Sequence, residues 1–460
     1  MRNPVAVLLA GVLSFPLVAA AQGKTGYRKL FTEAEAAGPH VSARSRELPK
    51  TKVDGQWEGI VAASGGKTYF AASCHSKTDN AQFFCYDPKT DQVSHIIDLG
   101  TWCGQPAGTL GKQNTQGKIH SQIFEADGKL YCSSTSAHMP KDFPYQGGHF
   151  LSYDLKTGKC EDLGRYPDPQ GGLLTMRYEP VYRRLYAISQ ADQTLIYYDL
   201  KTRKIVKVGS VENNPHQCRV LISDQAGNVY GSTWDGVIYK YDPKLGRLSC
   251  LLTRIPHDPD APQPPRGPLR FREMTQWESR LSGWHATHWV MIVWDPKTQW
   301  WYGVRGNDEY LFRFRPPTDP KSHRGQIEGL APIGYLPSSQ RQPRFASLAL
   351  TLKGDRIYYV SYTPWQTMSH LMSYDIPSGK VTNHGPIVTD GGRRVAEIHS
   401  LVVGSDGKLH AVAGVWSIEG KDPANPWSER AYCYYHARFL MIDTDKDLKN
   451  QQAAAVAGRP

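Results

Sequence analysis

The chain has 460 residues, among them 42 glycines, 32 prolines and 25 tyrosines, and 54 Lys and Arg against 43 Asp and Glu give it a formal charge of +11. That length suffices for a large core, and the glycine, proline and tyrosine suit short strands joined by tight turns. The charge is spread along the chain without a basic tract, which argues against nucleic acid and leaves plain solubility or attraction of a polyanion.

The N-terminus carries Arg2, an apolar run from Val5 to Ala20 broken by Pro16, and Ala19-Ala20-Ala21 ahead of Gln22, the layout of a cleaved signal peptide over residues 1–21. No later stretch reaches the ~20 continuous apolar residues of a membrane span. No cysteine follows the cleavage position to carry a lipid. A periplasmic or secreted protein is expected. Residues 22–54, rich in Lys, Arg, Glu and Ala, read as a leader outside the folded domain, with a short helix over 27–37.

From residue 55 to 445 one unit recurs: an apolar strand, a tight turn, a strand ending in an aromatic, then a Tyr-Asp turn. The turn reads Tyr153-Asp154-Leu155-Lys156-Thr157-Gly158, Tyr198-Asp199-Leu200-Lys201-Thr202-Arg203, Tyr241-Asp242-Pro243-Lys244-Leu245-Gly246 and Tyr374-Asp375-Ile376-Pro377-Ser378-Gly379, with a looser copy from Tyr86 to Asp91. A period of roughly 45 residues with four short strands is that of a β-propeller blade. The fold class is therefore all-β, a seven-bladed β-propeller of four-stranded antiparallel blades. The blades fall at roughly 55–102, 117–164, 172–210, 216–253, 285–334, 343–388 and 395–445, and residues 446–460 form a tail. Of the eight cysteines, Cys74 with Cys85 and Cys132 with Cys160 lie where one blade could close them as disulfides.

The turns fall into two populations. Connections such as Ala126-Asp127-Gly128-Lys129 and Ser405-Asp406-Gly407-Lys408 are tight and share one face with the Tyr-Asp turns. The opposite face takes the long insertions 104–118, 137–148, 254–283 and 417–430, and long loops on a rigid scaffold are where binding and chemistry sit. Aligned on the aromatic of the second strand, His120 and His399 each precede Tyr131 or His410 by 11 positions, Arg219 holds the same slot in blade four, and His288 does so in blade five once its longer Asp295-Pro296-Lys297-Thr298 turn is allowed for. These residues are expected to ring the channel mouth on the long-loop face. His138 and His149 extend from the neighbouring loop of blade two, and Tyr178 lies on the innermost strand of blade three, with Ile123 as its expected counterpart. The bland alternative for each is hydrogen bonding within a wet channel. The series Tyr131, Tyr186, Tyr230 and Tyr358 recurs once per blade and reads as packing. His288 and His399 are the candidates to share a divalent ion (Zn, Mn or Ca). No P-loop, dinucleotide glycine motif, serine elbow or His-Glu-x-x-His is present.

The segment Gly117-Lys118-Ile119-His120-Ser121 entering blade two, the histidines of the loop that follows, and Arg219 in Gln217-Cys218-Arg219-Val220 resemble the seven-bladed propeller polysaccharide lyases of the ulvan and oligogalacturonide lyase type. The resemblance implies β-elimination on a uronic-acid-containing polysaccharide or oligosaccharide, with a His or Tyr as base and acid and an Arg or metal at the carboxylate. On that basis His120 is the expected base, assisted by His138 or Tyr178. Arg219 is the carboxylate clamp, and His149, His288 and His399 are expected to bind substrate. The proton beside a uronate carboxylate is very weakly acidic, so a cation must neutralise the carboxylate before a neutral imidazole removes it. Two rivals remain: a non-catalytic propeller that binds glycans or proteins, and a metal-dependent propeller hydrolase or lactonase, which needs a carboxylate-lined channel.

Overall fold

Each Tyr-Asp turn closes on its own aspartate. Asp154 Oδ1 accepts from the backbone N–H of Lys156 and Thr157 at 3.0 and 2.8 Å, Asp199 from Lys201 and Thr202 at 3.0 and 2.9 Å, and Asp242 from Lys244 and Leu245 at 3.0 and 3.1 Å. The carboxylate replaces the partners that a tight turn denies its backbone. The last residue of the turn then takes a positive φ, 71° at Gly158 and 59° at Gly246, with Asp91 and Arg203 at 58° in the same slot, which is why glycine recurs there.

The computed structural model describes residues 40–49, 53, 55, 57, 59–74, 79–105, 114–136, 144–167, 171–190, 192–211, 219–233, 236–256, 288–305, 311–319, 321–330, 349–361, 369–416 and 435–445. The expected signal peptide, the helix over 27–37, His138, most of each long insertion and the tail lie outside them. Strand β1 (Val41–Glu47) precedes the repeats. Five separate antiparallel sheets of four strands follow in chain order. They are β2 (Ile60–Ala62), β3 (Thr68–Ala72), β4 (Gln82–Asp87) and β5 (Gln92–Asp98); β6 (Phe124–Ala126), β7 (Lys129–Ser133), β8 (Gly148–Asp154) and β9 (Cys160–Tyr166); and β10 (Leu173–Glu179), β11 (Arg184–Ser189), β12 (Thr194–Asp199) and β13 (Lys204–Ser210). Next come β14 (Ile222–Ser223), β15 (Val229–Ser232), β16 (Val237–Asp242) and β17 (Arg247–Arg254), then β18 (Trp289–Asp295), β19 (Trp300–Arg305), β20 (Leu311–Arg315) and β21 (Gln326–Gly329). The remaining strands, β22 (Leu350–Lys353), β23 (Arg356–Ser361), β24 (His370–Asp375), β25 (Lys380–Thr389), β26 (Val395–Ile398), β27 (Val402–Val403), β28 (Leu409–Trp416) and β29 (Tyr435–Ile442), share one nine-stranded sheet with β1.

That last sheet corrects two expectations. Among the described residues separate four-stranded sheets number five, not seven, because β1 runs parallel to β25 from Val41↔Ile387 to Ala43↔Thr389 and antiparallel to β29 from Ala43↔Ile442 to Glu47↔Arg438, welding two strand sets together. The stretch 22–54 is also not wholly a leader, since residues 41–47 are a sheet strand. Its alternation is plain in place: Val41 and Ala43 are buried while Ser42 and Arg44 are exposed. Arg44 and Arg46 both bind Asp91 beyond β4, and Ser45 donates to Asp390 through its backbone N–H and its hydroxyl.

Second strands such as β3 are buried on both faces and fourth strands such as β5 and β13 mix half-buried and exposed residues, so the core follows the middle of each sheet. The recurrent tyrosines pack there as expected, Tyr186 against Tyr197 and Tyr241 at 5.3 and 5.9 Å, and Tyr230 against Phe314 at 6.1 Å. Neither expected disulfide forms, because Cys85, Cys132 and Cys160 are free thiols. Burial pushes all three thiols up in pKa, Cys160 to about 11, which keeps them as unreactive core side chains.

His410 occupies the slot that tyrosine fills in other sheets. It is fully buried between Tyr86 and Phe439, with Nδ1 2.8 Å from Thr68 Oγ1 and Nε2 3.0 Å from Asp406 Oδ1. Burial pushes its pKa down more than Asp406 pulls it up, and burial lowers His370 as well. The folded value therefore lies below the unfolded one, so the unfolded chain takes up protons first as the pH falls below ~6.5. The stability this group contributes is full above that pH and is lost on acidification. Thermal unfolding followed between neutral pH and pH ~5 should show a falling midpoint, with a shallower fall in His410→Gln; an identical slope in the variant would assign the acid lability elsewhere.

Candidate functional site

The pairs Phe124↔Tyr131, Arg177↔Tyr186, Ile222↔Tyr230 and Val402↔His410 fix a common register for the innermost strands. His120, Arg219 and His399 each sit three or four residues ahead of that position, at one end of the channel. There they meet Trp57, which the sequence analysis did not single out. Trp57 rides on an extension of β2 that continues the ladder with β3, since Ala71 N–H donates to Gly59 O and Ser73 N–H to Gly55 O, both at 2.8 Å. Glycine is required at 59, where a Cβ would lie 2.9 Å from Ile119 Cγ2 and 3.0 Å from Ile119 O.

Around the Trp57 ring, the His120 imidazole stacks at 5.1 Å and 12°, His399 tilts at 4.2 Å, Lys118 Nζ stands 4.2 Å above it, and the Arg219 guanidinium carbon is 5.4 Å away. Both histidines are buried. Arg219 Nη1 lies 2.7 Å from His120 Nε2. A guanidinium can only donate, so this contact is a hydrogen bond when the imidazole is neutral and Nε2 is its acceptor nitrogen. Lys118 is held by reciprocal backbone bonds with Thr135 at 3.0 and 3.1 Å. The arrangement can grip an anion beside an imidazole and an aromatic platform.

The other candidates scatter. His288 is buried at the head of β18, in the slot expected, and the next residue, Trp289, donates its indole N–H to Val220 O at 2.7 Å, tying that strand to the one carrying Arg219. His149 is not at the channel mouth: it stands on β8, where its Nδ1 lies 2.9 Å from Asp162 of β9, and it ties those two strands together. Tyr178 pairs with Leu185, which makes Glu125 its counterpart rather than Ile123. It stacks on Tyr131 at 6.1 Å and 8° near Asp127 and Arg183, at the tight-turn end, and so is separated from His120. Among the described residues no three His, Cys, Asp or Glu side chains are grouped to hold a metal. The Trp57 group, with two cations in it, does not fit a Zn, Mn or Ca ion.

Trp57 and Lys118 were both within reach of the sequence. Lys118 belongs to the quoted motif, and eleven positions back from Tyr69, the count that finds His120 and His399, falls on Glu58, next to Trp57. No helix among the described residues is long and apolar enough to cross a membrane.

No family model and no curated protein matches the chain. Among solved structures it is similar to an extracellular domain assigned to a one-component system of B. thetaiotaomicron, with 13% identity over 87% of this chain and a TM-score of 0.50; the chain spans 40% of the length of that one. It is similar to the WD40 repeats of RRP9, with 12% identity over 87% of this chain and 98% of that one, again at 0.50. A protein assigned as a 6-phosphogluconolactonase, from Bacteroides uniformis, aligns at 10% identity over 80% and 94% of the two chains with a TM-score of 0.48. For the two matches at a TM-score of 0.50 the likeness shows the fold alone, an all-β propeller arrangement of small antiparallel sheets.

Proposed function

We propose that the chain is a seven-bladed propeller, its nine-stranded sheet being two blades joined by β1, that acts in the periplasm or outside the cell. Its activity on this reading is cleavage of uronic-acid-containing polysaccharide by β-elimination. The observation that carries the reading is the 2.7 Å contact between Arg219 Nη1 and His120 Nε2 beside Trp57. A substrate carboxylate is a better partner for a guanidinium than an imidazole is, because it accepts two parallel N–H bonds with full charge. Its arrival draws Arg219 away and releases the Nε2 lone pair next to the carbon whose proton must leave.

His120 then takes that proton, the C–H electron pair becomes the new double bond, and the bond to the glycosidic oxygen breaks. The departing oxygen takes its proton back from the imidazolium of His120, so one residue serves as base and then acid. Lys118 adds a second positive charge as the carboxylate gains enolate character. Neither earlier acid candidate enters: Tyr178 lies at the other end of its strand, and His138 lies outside the described residues.

The same contact favours one alternative, a glycan-binding propeller without catalysis, because a base whose lone pair is held by arginine is at rest. Incubation with ulvan, pectate and alginate separates the two. A lyase produces the ultraviolet absorbance of an unsaturated uronate on at least one of them, whereas retention of a uronate polymer with no such absorbance on any would establish the binding reading and end the catalytic one.

A further inference from the structure

Beyond the Trp57 group the channel holds a cavity of about 1040 Å3. Its lining stops at Gln122 and Ser400, just past His120 and His399, and runs on to the tight turns at Pro180 and Gln225. The cavity therefore occupies the half of the channel facing away from the long insertions. At the common register its wall is Val61, Phe124, Arg177, Val293, Thr351 and Val402, one from each of six innermost strands, and Arg177 is the one charged member.

Arg177 Nε donates to Ser223 Oγ at 3.2 Å, and its guanidinium carbon stands 5.2 Å from the Phe124 ring and 5.4 Å from the Trp301 ring. The other four of its five N–H donors have no acceptor among the described residues. Nearby carboxylates are committed elsewhere. Glu179 accepts from the backbone of Val181 and Tyr182, and Asp224 from Ala226 N, Asn228 N, Asn228 Nδ2 and the Tyr230 hydroxyl. Burial lowers the pKa of Arg177 to about 10, which leaves it charged at neutral pH.

Arg315 also lines the cavity, but its guanidinium is bonded to the Gln299 and Thr298 carbonyls, both at 2.9 Å, so Arg177 is the cation with a free planar fork, and with Trp294 and Trp301 paired at 5.2 Å beside it the cavity has the shape and charge to take a flat anion. We propose that this cavity is a second ligand site that binds a small aromatic carboxylate, with the carboxylate on Arg177 and the ring against Trp294 and Trp301. The proposal does not rest on the lyase reading, since it uses the other half of the channel.

Titration calorimetry on the full chain with 2-naphthoate and its uncharged counterpart 2-naphthamide tests it. The acid should bind at one equivalent and at least about tenfold more tightly than the amide. Arg177→Met should weaken the acid about tenfold or more and leave the amide unchanged, with Arg177→Lys in between. Thr351→Glu, which keeps the arginine and sets a carboxylate across the cavity, should also exclude the acid, and it serves if the Met variant does not fold. Absence of naphthoate binding, equal affinity for acid and amide, or full naphthoate affinity in both Arg177→Met and Thr351→Glu would overturn the proposal.

Discussion

His120→Ala is expected to lower the rate of unsaturated-uronate formation by ~10²–10⁴-fold on any polysaccharide that the parent protein cleaves, with KM little changed. Alanine removes the base but leaves Arg219, Lys118 and Trp57 to hold the ground state. Arg219→Lys should also be slowed by about tenfold or more, because an ammonium cannot replace two parallel N–H bonds, and here the loss should appear in KM as well as kcat. The parent rate should rise with pH as the imidazole loses its proton, and this rise should vanish in the residual activity of His120→Ala. Near-parental turnover in both variants would remove the pair from the mechanism. Activity lost in Arg219→Lys alone would keep the clamp and require another base.

The second large effect concerns stability. A chain beginning at Leu48, and so lacking β1, is expected to lose cooperative unfolding, while one beginning at His40 should melt like the parent. β1 contributes five residue pairs with β29 and three with β25, buries Val41 and Ala43, and carries the Arg44 and Arg46 contacts to Asp91. Taking each net backbone hydrogen bond at about 1 kcal/mol, the loss is on the order of 5 kcal/mol or more before the exposed apolar edge is counted. Differential scanning calorimetry of the two truncations decides it; equal melting would mean that the ring closes without the strand.

The repeats were legible because their signals are local. An aspartate that caps its own turn, a positive-φ slot beyond it and an aromatic at fixed spacing all act within a few residues, so Tyr153–Gly158 announces a hairpin wherever it stands. β1 was not legible, because Ser-Ala-Arg-Ser-Arg-Glu is a strand only when β29 and β25 lie on either side of it, and both are distant in sequence. The site divides in the same way. The eleven-residue register brought His120, Arg219 and His399 to one place, as their shared contacts with Trp57 show. Tyr178 was misplaced because counting alone does not fix strand pairing, and a one- or two-residue error moves a side chain along the channel and across the sheet. Arg177 looked like an ordinary strand residue, and only the convergence of six strands makes it singular.

The closure of the last sheet has a consequence for the order in which the molecule is made. Arg438 of β29 bonds to Glu47 of β1 across 391 positions of chain, so β1 completes its pairing only after β29 has been made. The intervening sheets can form one after another from neighbouring segments, but the ring cannot lock until β29 has been made. Until then the side of β1 that meets β29 is an unpaired edge. Arg44, Arg46 and Glu47 along it are the kind of charge that keeps such an edge from joining a neighbouring molecule, so the residues that disguise it as a leader also guard it while it waits.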